Sequence, residues 1–111
     1  MDSIWNDMYS AAKAVQNERA ISDYVEAGGV AAAVLSASGK IYTGVCVDTA
    51  CTLGICAERN AIFSMITAGE QEISRVIAIG GDGSIHFVYE DEGVRFRLGS
   101  QWTEMYNILY R

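Results

Sequence analysis

The sequence predicts a single α/β domain, in which helices pack against a β-sheet. Its 111 residues can form one hydrophobic core, and 50% of them are hydrophobic while 20% are charged, which is typical of a folded chain. An apolar stripe at helical spacing predicts a first helix on the sheet, capped by Asp2 or Ser3. This stripe consists of Ile4, Met8, Ala11 and Val15. A strand–helix–strand order between residues 40 and 79 then suggests a parallel crossover.

A β-hairpin is predicted after the first helix. Gly28 and Gly29 interrupt the helical pattern, and residues 30–35 are continuously apolar. Such a run favours a strand that is covered on both faces, although its alanines also allow a helix. Ser38 and Gly39 form the predicted turn, and residues 40–47 form the returning strand.

A second helix is predicted to begin at Cys56 and to end at Ala68 and Gly69. The residues predicted to face the sheet are Ala57, Ala61, Ile62, Met65 and Ile66. A short buried strand at residues 76–79 follows. The glycine-rich residues 80–83 are interpreted as a turn, because they lack the Lys and Ser/Thr of a phosphate-binding loop.

The connection to the next strand is unusually short. The step from Ile79 to Phe87 leaves no room for a parallel crossover, which needs a dozen or more residues. Either these strands pair differently, or a block is absent from the sequence between residues 85 and 86. The second alternative is favoured.

Two further elements are predicted towards the end of the sequence. Residues 86–98 predict a hairpin that turns at Glu92 and Gly93, and residues 100–111 predict a helix. An aromatic stripe on that helix should dock on the domain or on a neighbouring subunit. The stripe consists of Trp102, Tyr106 and Tyr110.

Composition narrows the class of partner. A net charge of −6 makes a nucleic-acid backbone an unfavourable partner, whereas a small neutral or cationic substrate is easier to accommodate. The apolar runs are too short to span a bilayer and no signal-peptide pattern is present, so a cytoplasmic protein is expected.

Three cysteines without an export signal argue against a disulfide framework. Cys46 and Cys51 are interpreted as small buried hydrophobic residues.

The strongest functional signal is Cys56, followed by Glu58 and Arg59, at the start of the second helix. The helix dipole and the unpaired backbone N–H groups at a helix N-terminus favour a thiolate, which suits a metal ligand. A glutamate two positions later can lie beside the metal without binding it. Zinc nucleobase deaminases divide the work in this way, with a metal-activated water and a nearby glutamate that moves protons.

Residues 53–61, with Thr43, Gly44 and Val45 upstream, resemble the cytidine deaminase family, whose members carry a CAER-type motif. The resemblance covers most of residues 28–85. It implies a three-layer α/β/α fold with a mixed sheet and helices on both faces. It also implies a zinc-dependent hydrolase, forming dimers or tetramers with one zinc per subunit, that releases ammonia from a cytidine-like nucleoside or a related aminopyrimidine.

The same resemblance implies roles for five residues. Cys56 would bind zinc, Glu58 would be the catalytic proton shuttle, and Arg59 would balance the charge of clustered thiolates. Asp48 and Cys46 fall where the family holds the sugar hydroxyls. Asp48 keeps a carboxylate but also fits an ordinary turn residue at a strand end, and Cys46 cannot replace the hydrogen bonds of an amide.

The family's other two zinc ligands lie in a PCxxC block that the sequence lacks. Catalytic zinc needs three protein ligands, so a complete site would require that the block exists in the protein but is missing from this sequence; replacement of the block by His86, or by a site made of the three cysteines, is considered and disfavoured. The alternative hypothesis is a non-catalytic deaminase-like protein that binds a nucleoside or serves in assembly.

Overall fold

The computed structural model describes residues 3–90, which form two helices and five strands. In chain order these are α1 (Ser3–Val15), β1 (Arg19–Ser22), β2 (Val25–Ser36), β3 (Ile41–Thr49), α2 (Ala57–Thr67), β4 (Ile73–Ile79) and β5 (Ile85–Glu90). The predicted capping role of Asp2, the turn at Glu92 and Gly93, and the aromatic stripe of the terminal helix lie outside the described residues.

The long strand β2 is the centre of the sheet. It pairs with β3 along one edge, while β1 and β4 pair with different segments of its other edge. Each of these pairings is antiparallel, so β3 and β4 run in the same direction on either side of β2. The connection from β3 through α2 to β4 therefore passes over β2, as the predicted crossover requires.

The two helices cover opposite faces of the sheet, because successive residues of a strand point to opposite sides. From β2, Ala31 and Ala33 pack with α1, whereas Ala32 and Val34 pack with α2. The α1 face also contains Trp5, Met8, Ala12, Ile77 and Ile79. The α2 face also contains Cys46, Ala57, Ala61, Ile62, Met65, Val76 and Ala78. The predicted α/β class, with a helix on each face of the sheet, is confirmed.

The residues of α1 that face the sheet are displaced by part of a helical turn from the predicted stripe. Trp5, Met8 and Ala12 are buried, whereas Ile4 and Val15 are each 38% exposed. Both sets have helical spacing, so the pattern alone does not choose between them. Trp5 has a much larger apolar surface than Ile4, and its burial decides which face meets the sheet.

Gly28 and Gly29, which were predicted to precede the strand at residues 30–35, lie inside β2. Gly28 has a φ of +84°, and the pairing of β2 with β3 shifts register between Ala27 and Ala31, which marks a bulge. The carbonyl oxygen of Asn17 lies 2.0 Å from where a Cβ at Gly28 would be, so only glycine fits there. Strand β1, which was not predicted, pairs with the segment of β2 before this bulge.

The second helix agrees with the prediction at both ends. Ala68 is its C-cap, and Gly69 follows with a φ of +94°. Of its predicted sheet-facing residues, Ile66 is instead 42% exposed. No helix within residues 3–90 is both long and apolar enough to cross a membrane.

Strands β4 and β5 form an antiparallel hairpin, with Ile79 opposite Ile85. Residues 80–83 make the predicted turn, closed by a hydrogen bond from the Gly80 N–H to the Ser84 carbonyl. The structure shows the first of the two alternatives for this short connection, because β4 and β5 pair as an antiparallel hairpin and need no parallel crossover. The favoured alternative, that a block is absent from the sequence between residues 85 and 86, stays a prediction.

Candidate functional site

Cys56 is the N-cap of α2, as predicted. Its backbone is extended, with φ −76° and ψ 156°, and its sulfur accepts hydrogen bonds from two groups of Arg59. These donors are the backbone N–H, at 3.4 Å, and the guanidinium Nε, at 3.1 Å. The sulfur thus lies at a helix N-terminus and beside a guanidinium group.

Three contacts hold this end of α2 against β3. A Cβ at Gly44 would lie 2.4 Å from the backbone nitrogen of Ala61, so the absence of a side chain lets the helix approach the strand. The side-chain amide of Asn60 donates to the Val45 carbonyl at 3.1 Å. Just before the helix, Ile55 forms an antiparallel bridge with Val47. The strand therefore fixes the position of Cys56.

A cleft of about 580 Å³ opens between the end of β3 and the start of α2. It is lined by Val30, Cys46, Val47, Asp48, Thr49, Cys51, Gly54, Ile55, Cys56, Ala57, Glu58 and Arg59. All five residues with roles implied by the family resemblance are in this lining. Glu58 is half-buried in the first turn of α2, and Asp48 is exposed near the end of β3.

Cys46 and Asp48 contact each other at one side of the cleft. The Cys46 thiol lies 3.6 Å from Oδ2 of Asp48, to which it can donate, and its sulfur accepts from the Val30 N–H at 3.2 Å. Cys46 is buried, as the sequence suggested. Its sulfur links the two central strands to the carboxylate, which orients Asp48 at the strand end.

The loop at residues 50–55 forms another wall of the cleft, and sequence reasoning missed its role. Cys51 is exposed there, contrary to its interpretation as a buried hydrophobic residue. Hydrogen bonds from the Leu53 backbone N–H and from Thr49 lower the pKa of the Cys51 thiol. The available signal was Thr49 itself, a hydroxyl residue placed between a strand end and a glycine-containing loop.

The described residues do not fit a complete zinc site. Within residues 3–90, no three His, Cys, Asp or Glu side chains are grouped so that they could hold a metal ion. The three cysteines line one cleft without forming such a group. His86 is not in the lining, and its Nε2 instead lies 3.0 Å from the Ser84 hydroxyl. Neither His86 nor the three cysteines therefore group into a metal site within residues 3–90.

The structure thus combines a sheet that is covered by a helix on each face with a cysteine-capped helix that opens on a cleft, which is an α/β architecture. No protein-family model matches the chain. Its structure is similar to a point mutant of cytidine deaminase from Mycobacterium tuberculosis, with 25% identity over 78% of this chain and 68% of that one and a TM-score of 0.61.

Two further solved structures extend this similarity. Cytidine deaminase from Burkholderia pseudomallei is 27% identical over 95% of this chain and 75% of that one, with a TM-score of 0.58. Cytidine deaminase from Mycobacterium leprae is 23% identical and shares the fold, over 96% of this chain and 81% of that one, with a TM-score of 0.65. By its fold, the chain is a cytidine deaminase-like protein.

Proposed function

We propose that the cleft binds a cytidine-like nucleoside or a related aminopyrimidine. One observation carries the proposal: Cys46, Asp48, Cys56, Glu58 and Arg59 all line a single cleft in a cytidine deaminase-like fold. The cleft volume of about 580 Å³ lies within the range of small-molecule sites. The two carboxylates can accept hydrogen bonds from amino and hydroxyl groups, which a nucleoside offers.

Binding is tested by titrating the purified chain with cytidine and with uridine in a calorimeter. We expect cytidine to bind and Asp48→Asn to weaken this binding about tenfold or more, because a hydrogen bond to a charged group contributes roughly 1.5–3 kcal/mol. Asp82→Asn is the matched control, since Asp82 lies in the β4–β5 turn and is not in the cleft lining. A chain that binds neither nucleoside would contradict the proposal.

A second candidate function is zinc-dependent hydrolytic deamination of the same ligand, with release of ammonia. The observation that favours it is the Cys56 sulfur, which receives two N–H groups of Arg59 at a helix N-terminus, with Glu58 in the same turn. In this candidate Cys56 is a zinc ligand, Glu58 transfers protons, and Arg59 balances the thiolate charge. The activity needs two further zinc ligands beside Cys56, and residues 3–90 do not bring two such side chains to it.

Zinc content and intact mass decide between the two candidates. A chain with a mass of 12.0 kDa, no zinc and no ammonia release from cytidine would exclude the deaminase. One zinc per subunit and ammonia release would support it. Glu58→Ala should then keep zinc but abolish ammonia release, and Cys56→Ala should lose the metal. The homo-oligomer and the cytoplasmic location stay predictions, and light scattering checks the oligomer.

A further inference from the structure

The hydroxyl of Thr49 joins both ends of the loop that walls the cleft. Thr49 is the last residue of β3, and its Oγ1 donates to the Cys51 carbonyl at 2.7 Å. The same oxygen accepts the Gly54 N–H at 3.0 Å. The Cys51 thiol also lies 3.7 Å from it, within donating distance. One side chain thus satisfies backbone groups on the outgoing and the returning arm of the loop.

The end of the returning arm packs closely against β3. A Cβ at Gly54 would lie 2.7 Å from the Val47 carbonyl oxygen and 3.2 Å from the Thr49 hydroxyl. The next residue, Ile55, exchanges two backbone hydrogen bonds with Val47, at 2.9 and 3.0 Å. The loop therefore closes on β3 at Gly54 and Ile55, immediately before the chain reaches Cys56.

We propose that Thr49 is a positioning residue of this site, whose hydroxyl holds residues 50–54 as the loop wall of the cleft. This inference rests on the proposed function for the identity of the ligand, a cytidine-like nucleoside. Thr49 acts through Cys51 and Gly54. Without the hydroxyl, the loop samples other conformations, and the cost of ordering it is then paid during binding.

The main test compares Thr49→Val, which keeps the branched shape but removes the hydroxyl, with Thr49→Ser, which keeps it. We expect Thr49→Val to weaken cytidine binding about fivefold, from the loss of hydrogen bonds to the loop, and Thr49→Ser to restore the affinity to near wild type. Thr67→Val is the matched control, because Thr67 is exposed at the far end of α2. Unchanged affinity in folded Thr49→Val, with or without a lower melting temperature, would overturn the inference.

A second readout does not depend on the nucleoside. The pH dependence of Cys51 alkylation by iodoacetamide is followed by peptide mass spectrometry in wild type and both variants. The Leu53 backbone N–H and then the Thr49 side chain lower the pKa of the Cys51 thiol, and both contacts depend on the held loop, so the alkylation midpoint should move to higher pH in Thr49→Val and stay in place in Thr49→Ser. If the wild-type chain binds no cytidine, the proposed function fails, but a shifted midpoint still supports the role of Thr49 in holding the loop. An unshifted midpoint would overturn that role.

If Thr49→Val does not fold, amide hydrogen exchange in the wild-type chain and in Thr49→Ser provides the decision. The Gly54 N–H should exchange slowly in both, because the hydroxyl accepts from it. Exchange of the Gly54 N–H at the rate of an unprotected amide would overturn the inference.

Discussion

The two faces of the sheet are built from different kinds of residue. On the α1 face, the ring of Trp5 meets Phe87 edge-on at 5.0 Å, and the Arg75 guanidinium lies 5.0 Å over the Trp5 ring. On the α2 face, Ala57 and Ala61 lie beside Ile62 and Met65, and the helix approaches the β3 backbone at Gly44. Aromatic contacts mark the first interface, and a close backbone approach marks the second.

This difference separates stability from function. An interface of large side chains contributes stabilisation that is roughly proportional to the apolar area it buries. A close approach of helix and strand fixes where the helix N-terminus lies, and here that end carries Cys56 and Glu58. We therefore expect the α1 face to determine stability alone, and the α2 face to determine both stability and the shape of the cleft.

A matched pair of methionines provides the largest expected effect. Met8 and Met65 are both fully buried, one on each face. Replacing either with alanine should lower the free energy of unfolding by about 3 kcal/mol, measured by urea denaturation. Only Met65→Ala should also weaken cytidine binding to the folded fraction, by about threefold. Equal effects of the two variants on affinity would remove the distinction between the faces.

The close approach at Gly44 is tested by Gly44→Ala. The added Cβ would meet backbone atoms of Asn60 and Ala61, which cannot rotate away, so α2 must shift. We expect a loss of about 2 kcal/mol in the free energy of unfolding and a lower affinity of the cleft. Gly81→Ala is the control, because its Cβ would meet only the Gly29 carbonyl oxygen, at 3.4 Å. A Gly44→Ala chain with the stability and affinity of Gly81→Ala would contradict the prediction.

The smallest expected effect is pH-dependent and concerns the far end of the α2 face. Hydrogen bonds from Ser38 and Tyr42 lower the pKa of the Glu70 carboxyl and tie the β2–β3 hairpin to the segment after α2. Because the pKa of this carboxyl is lower in the folded state, its charged form stabilises the fold at pH values above the unfolded pKa of about 4.3. That stabilisation is lost as the pH falls through the folded pKa.

Glu70→Gln should therefore be less stable than wild type at pH 7, and the difference should shrink below about pH 4. Urea midpoints measured between pH 3 and pH 7 give the result. Glu72→Gln serves as the control on the same segment, since Glu72 is exposed. A wild-type advantage over Glu70→Gln that is constant across this pH range would rule out the carboxylate as its source.

The sequence predicted those features that depend on local chemistry. The cap at Cys56, the end of α2 at Ala68 and Gly69, and the turn at residues 80–83 all follow from residue types that favour one conformation. The first central strand was predicted from the continuous apolar run at residues 30–35, although its alanines also allowed a helix. The second was predicted at residues 40–47 as the strand that returns from the turn at Ser38 and Gly39. Local resemblance around Cys56 also placed five residues that share one cleft.

Features that depend on tertiary packing could not be predicted in this way. The size of Trp5 decides which face of α1 is buried against the sheet. Gly28 lies in a bulge within β2, where the Asn17 carbonyl packs against it. The four residues of strand β1 are all exposed, so no buried face predicts it. The hydrogen bonds of Thr49 are local, but the loop wall also needs Ile55 to pair with Val47 on β3, which the sequence does not show.

Strand β2 has a consequence for how the molecule comes apart. It is the shared hydrogen-bonding partner of β1, β3 and β4, and both helices rest on its side chains. Detaching it would break its ladders with all three neighbours in one step and leave only β4 and β5 paired, and an isolated hairpin is at best marginally stable. Denaturation of residues 3–90 should accordingly be a single, all-or-none transition.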